Sequence, residues 1–207
     1  MAAERIDHSL ERLVFFSDAV FAIAITLLVI EIHPPHIARD TGTDARHLEA
    51  LANLIPEFIG YIISFFVIGM FWMGHHRAFA LAARYSPRVL WWNLLLLCTI
   101  AFMPFASAYA SANVQQRVPT IFYCTAMLLA ALLNLRVNTI ATSPPMVSAS
   151  ADPGDADRVR GRGTGVVLGS ATAVVVSVVE PRFGQMGLVT IPFWQLLIMK
   201  HWSKARA

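Results

Sequence analysis

The sequence predicts an all-α membrane protein: one domain, residues 1–207, with six transmembrane helices. Three observations predict it. Of the 207 residues, 57% are hydrophobic and 14% charged, whereas a soluble domain carries about 25% charged residues. Six apolar stretches approach the roughly 20 residues that a membrane-spanning helix needs. Lysine and arginine fall mostly on one side of those stretches. The mean hydropathy is +0.58. Such a chain lacks the charge to cover a water-facing surface, so a disordered protein, a nucleic-acid-binding module and a secreted disulfide scaffold are excluded. Cys98 and Cys124 sit inside apolar runs and read as small buried hydrophobes.

The expected helices run over 13–32, 54–73, 89–109, 120–140, 164–179 and 186–199. Glu4, Arg5, Asp7, Glu11 and Arg12 precede the first apolar run, and no small-residue cleavage site follows it. That run is therefore expected to be a retained helix and not a signal peptide. Glu57 follows Pro56 in the first turn of the second helix, where a carboxylate suits a helix N-terminus. Pro104 is expected to kink the third. The fifth is weakened by Gly165 and Gly169, and the sixth is interrupted by Pro192. Residues 33–53 form a long connection. Residues 142–163, rich in Ser, Pro, Gly, Asp and Arg, read as a flexible cytoplasmic linker.

Basic residues set the orientation. With both termini inside, the inner set is Arg5, Arg12, Arg77, Arg84, Arg88, Arg136, Arg158, Arg160, Arg162, Lys200, Lys204 and Arg206; the outer set is Arg39, Arg46, Arg117 and Arg182. Twelve inner against four outer account for all 16 Lys and Arg. The expectation is a multi-pass protein of the cell membrane with both termini cytoplasmic.

Polar groups at membrane depth are costly and mark function. At about 100° per residue, Arg12, Phe16, Ala19, Ile23, Thr26, Leu27 and Ile30 share one face of the first helix, with Ser17 and Asp18 on the far side. Arg12 and Asp18 are too far apart in sequence to pair on one helix, so Asp18 must find a partner on another helix or subunit. His75, His76 and Arg77 are candidates. Asp18 reads either as a lock on helix packing or as a carboxylate that binds or relays a cation. Ile23, Leu27 and Ile30 form either a packing stripe or, in a symmetric assembly, rings that constrict a pore, with Thr26 hydroxyls among them. Trp72 suits the interfacial belt or a buried network, and Asn93 reads as an interhelical hydrogen-bonder. Adjacent His75 and His76 point about 100° apart, which does not suit joint metal or haem ligation.

Arg12, followed after three residues by Phe16-Ser17-Asp18 at the opening of the first of six spans, resembles the signature of the transmembrane protein 175 family. Trp72 with His75 and His76 at the end of the second span is similar to the same family. The family includes the lysosomal potassium channel of animals and shorter bacterial and archaeal relatives. The resemblance implies a potassium-permeable channel without the usual filter loop: six helices per chain, a homotetramer, and the first helix of each subunit lining a central pore. It implies that Ile23, Leu27 and Ile30 constrict the pore and that Thr26 contributes to selectivity. It also implies that Arg12, Phe16, Ser17, Asp18, Trp72, His75 and His76 form a structural network. With one copy of the signature, and not the two of animal members, this chain needs four subunits.

The functional expectation is passive permeation of potassium and other monovalent cations through the lipid bilayer. It involves no enzymatic step, no cofactor, no resident metal and no nucleic-acid partner. The alternatives are a proton-coupled carrier using Asp18, His75 and His76, and a haem-binding membrane oxidoreductase using the two histidines.

Overall fold

The first helix begins at a carboxylate. Asp7 accepts hydrogen bonds from the backbone N–H groups of Ser9 (3.1 Å) and Leu10 (3.4 Å), satisfying donors that a helix start leaves open. Its other oxygen accepts from the Tyr85 N–H at 2.6 Å, which ties this start to a loop far along the chain. The computed structural model describes residues 7–37, 42–113 and 115–204; Arg5, Arg39 and Arg206 of the charge pattern lie outside them.

Among the described residues seven α-helices follow in order: α1 (His8–Ile30), α2 (Asp44–Asn53), α3 (Ile55–Ala80), α4 (Pro87–Ala112), α5 (Arg117–Ala141), α6 (Pro153–Val179) and α7 (Ile191–Lys204). Of these, α1, α3, α4, α5 and α6 are long and apolar enough to cross a membrane. The core between them is built from Phe21, Ile68, Phe71, Leu96, Ile100, Met103, Met127 and their neighbours, all buried. α2 lies within the expected 33–53 connection, is capped by Thr43, and buries none of its residues. Cys124 is buried as expected. Cys98 is not: it is exposed on the outer side of α4.

The structure corrects two further expectations. Residues 153–163 are not linker but about three turns of helix at the start of α6. Asp152-Pro153, which reads as a turn, is an N-cap followed by proline in the first turn, and the Asp152 side chain accepts from the Gly154 N–H at 2.9 Å. The shortened connection is packed. Met146 is fully buried and its carbonyl accepts from the Ala83 N–H at 2.8 Å. Arg160 reaches back to the end of α5, donating to the Thr142 carbonyl at 2.6 Å and to Ser143 Oγ at 2.9 Å.

The second correction concerns the sixth span. Residues 185–190 form a 3-10 segment, and α7 begins only at Ile191. α7, at 14 residues, is by itself shorter than the roughly 20 residues of a membrane span. The glycines that weaken α6 on paper explain how α7 docks. A Cβ on Gly165 would lie 2.8 Å from the Gln195 backbone, and one on Gly169 would lie 2.9 Å from Ile191 Cα. Small residues let helix backbones approach this closely in a membrane.

Gly169→Leu is expected to push α7 off α6 and destabilise the fold by about 1–3 kcal/mol. Gly69→Ala, where a Cβ meets nothing within 4 Å, is expected to leave it unchanged or slightly firmer; thermal unfolding in detergent compares the two. The Tyr85 N–H, with those of Leu10 and Ser9, holds the Asp7 carboxyl below its ordinary value. A depressed carboxyl stabilises the folded state above the usual carboxylate range, and that contribution is lost as pH falls through the folded value. Asp7→Ala is therefore expected to flatten the stability profile below about pH 4, read as the melting temperature across acid pH.

Candidate functional site on the first helix

α1 packs against α4 and α3. Its buried side is Leu13, Ser17, Phe21, Ala24 and Leu28, a 3.6-residue stripe. The opposite side is bare in the single chain: Ile23 is 58% exposed, Leu27 39% and Ile30 67%, with Phe16 also exposed. Thr26 lies on the same side, and its hydroxyl reaches the Ala22 carbonyl at 3.0 Å and the Ile23 carbonyl at 2.9 Å. The hydroxyl hydrogen is thus spent on the backbone, and the oxygen lone pairs stay available to a cation.

On the buried side a chain of hydrogen bonds crosses three helices. Ser17 on α1 donates to the Leu13 carbonyl at 2.7 Å. Asn93 on α4 donates through Nδ2 to Ser17 Oγ at 2.8 Å. Asn93 Oδ1 is then the acceptor for His75 Nε2 on α3 at 2.9 Å. The direction of each bond is fixed by its neighbour, so Nε2 carries the His75 proton. The His75 ring stacks on Phe79 with centroids 4.4 Å apart and lies 5.6 Å from Phe21. Ser17, His75 and Asn93 are all buried.

Asp18 finds its partner on α3, but it is Trp72 and not His75, His76 or Arg77: Trp72 Nε1 donates to Asp18 Oδ1 at 2.9 Å. His76 lies beside the Trp72 ring, centroids 5.5 Å apart. Ser17, Asp18, Trp72, His75 and His76 are therefore brought together. Arg12 and Phe16 are not; both are exposed on the other side of α1.

Sequence reasoning missed two further polar clusters. Ser64 on α3 meets Ser107 on α4 and Tyr123 on α5, each at 2.8 Å. Asn138 donates to Asn134 Oδ1 at 2.6 Å, and Asn134 donates to the Phe71 carbonyl at 2.9 Å. The signal for the second was an i,i+4 asparagine pair inside an apolar run.

The family model described as endosomal/lysosomal potassium channel TMEM175 matches residues 12–104, which contain all the residues of this site. A protein of Chamaesiphon minutus named a potassium channel is 35% identical over 154 residues, 72% of this chain and 74% of its own length. The chain belongs to the TMEM175 family. A crystal structure of a lysosomal potassium-selective channel TMEM175 homolog from Chamaesiphon minutus superposes with a TM-score of 0.77 at 28% identity, covering 93% of this chain and 99% of that one. The human relative, named an endosomal/lysosomal proton channel, is 29% identical over 64% of this chain but only 28% of its own length. The all-helical membrane fold is thus that of a family of ion channels.

Removing the shared partner from the hydrogen-bond chain, Asn93→Leu, is expected to cost about 1 kcal/mol, in the range measured for interhelical bonds in membranes. The pair Ser17→Ala and Asn93→Leu is expected to be non-additive, because each breaks the same bond; unfolding of both single variants and the double variant in detergent measures the coupling.

Proposed function

We propose that this chain is the subunit of a homotetrameric, potassium-permeable cation channel of the cell membrane. It crosses the bilayer six times, the last crossing made by residues 185–190 and α7 together, and both termini are cytoplasmic. Four copies of α1 line the conduction path. Ile23, Leu27 and Ile30 form successive apolar rings that resist wetting, and Thr26 supplies a ring of hydroxyl oxygens to a partly dehydrated ion. The signature residues Ser17, Asp18, Trp72, His75 and His76 hold α1 against α3 and α4 from behind. Permeation is passive, and selectivity rests on dehydration cost at a narrow ring.

The observation that carries this reading is the two-sidedness of α1. Its polar groups Ser17 and Asp18 are consumed by the neighbouring helices, and its bare side presents Ile23, Thr26, Leu27 and Ile30 in one line. The potassium-channel names of the bacterial relatives support the choice of ion. The proton-channel name of the animal relatives favours a second reading, proton permeation through the same helix. A haem ligand role for the histidines fits poorly: His75 Nε2 is committed to Asn93, and Nδ1 is buried among aromatic rings.

In reconstituted bilayers the reversal potential is expected to follow a potassium gradient; one that follows only the pH gradient selects the proton reading. Ile23→Asn and Leu27→Asn are expected to wet the constriction and raise conductance, and unchanged current in both would remove this face from the path. Thr26→Ala is expected to lower the potassium-to-sodium permeability ratio in the same recording.

A further inference from the structure

A cavity of about 570 Å³ opens between α3, α5, α6 and α7, toward the bundle end where α3 and α7 finish and α6 begins. Arg77 and Arg162 both line it, from α3 and α6. Neither forms an ion pair among the described residues. Two unpaired guanidinium groups beside the same space call for a ligand that brings negative charge.

The cavity continues into an apolar groove of about 680 Å³ that runs along α3 past Phe66 and Gly69. Met70, Met73 and Pro192 line both spaces, so the two form one amphipathic cleft. One end is cationic; the other is lined by apolar side chains. A phospholipid matches that layout, and basic pockets between transmembrane helices take anionic headgroups. A second copy of this chain matches it poorly. The described acids at this end are already partnered: Asp7 with Tyr85, Glu11 with His8, Asp18 with Trp72, and Asp152 and Asp155 with Arg158, and Asp157 is not free either.

We propose that this cleft binds an anionic phospholipid of the phosphatidylglycerol class. The phosphodiester accepts from Arg77 and Arg162, and one acyl chain lies along Met70, Met73 and Gly69. A zwitterionic ethanolamine headgroup is disfavoured, since its ammonium would sit beside two guanidinium groups. The lipid cements α7 to α3, two helices that the protein itself joins weakly at this end.

Native mass spectrometry of the detergent-purified full chain tests this without reference to any ion current, so its failure is distinct from failure of the channel reading. Dioleoylphosphatidylglycerol is expected to be retained in preference to dioleoylphosphatidylcholine and to raise the melting temperature. The double variant Arg77→Gln, Arg162→Gln is expected to weaken phosphatidylglycerol binding about tenfold, as loss of charge-assisted bonds does, and to leave phosphatidylcholine unaffected. Gly69→Phe, which fills open space in the groove, is expected to lower phosphatidylglycerol retention with no loss of folding; it decides the matter if the arginine variant does not fold. Equal retention of the two lipids, or full retention by either variant, overturns the proposal. So does displacement of the lipid by millimolar inorganic phosphate, which would make the site one for free anions. A change of subunit number in Gly69→Phe with lipid retention intact also overturns it, since the groove would then be covered by a second copy.

Discussion

The hydrogen-bond chain from His75 through Asn93 to Ser17 sets the rest of the architecture. Each of these side chains sits at a depth where water is scarce, and an unsatisfied polar group there costs more than one at a surface. The bonds among the three form together only if α1, α3 and α4 meet in one register and one rotation, while His75 Nδ1 stays buried without a partner. Apolar packing alone does not impose this, because lipid tails solvate Leu and Ile as well as another helix does. The directional bonds therefore choose the rotation of α1, and the Trp72–Asp18 bond holds the same rotation beside them.

Fixing the rotation of α1 decides what its other side presents. With Ser17 turned inward, Ile23, Leu27 and Ile30 are turned out of the subunit, and Thr26 lies among them. A slip of one residue would swing that face by about 100° and bring Asp18 away from Trp72. The polar network behind and the apolar line in front are thus one constraint seen from two sides. On the proposed channel reading, a signature that holds helices together thereby also sets the face that an ion meets.

Much of this was legible in the sequence, for definite reasons. The apolar line on α1 follows from helical periodicity alone, and so does the placement of Ser17 and Asp18 opposite it. The partner of Asp18 was not legible. Trp72 and His75 are one turn apart on α3, and only the relative height of two helices decides which meets the carboxylate. The expected linker failed because Asp152-Pro153 has the composition of a turn and the geometry of a helix start. Gly165 and Gly169 count as weakness on helix propensity, which considers a helix alone. Their missing Cβ atoms matter only once α7 lies against them. Arg12 and Phe16 belong to the signature yet stand exposed in the single chain, so their role, unlike that of Ser17, is not met by contacts within one subunit.

The central claim is that the bare side of α1 faces an aqueous path. Thiol accessibility tests it most directly, in a background with Cys98 and Cys124 replaced by alanine. Ile23→Cys and Leu27→Cys are predicted to react with a membrane-impermeant cationic thiosulfonate and to lose current, whereas Phe21→Cys and Leu28→Cys, on the packed side, are not. Reaction confined to the packed side, or no reaction on either side of a conducting channel, would contradict the account.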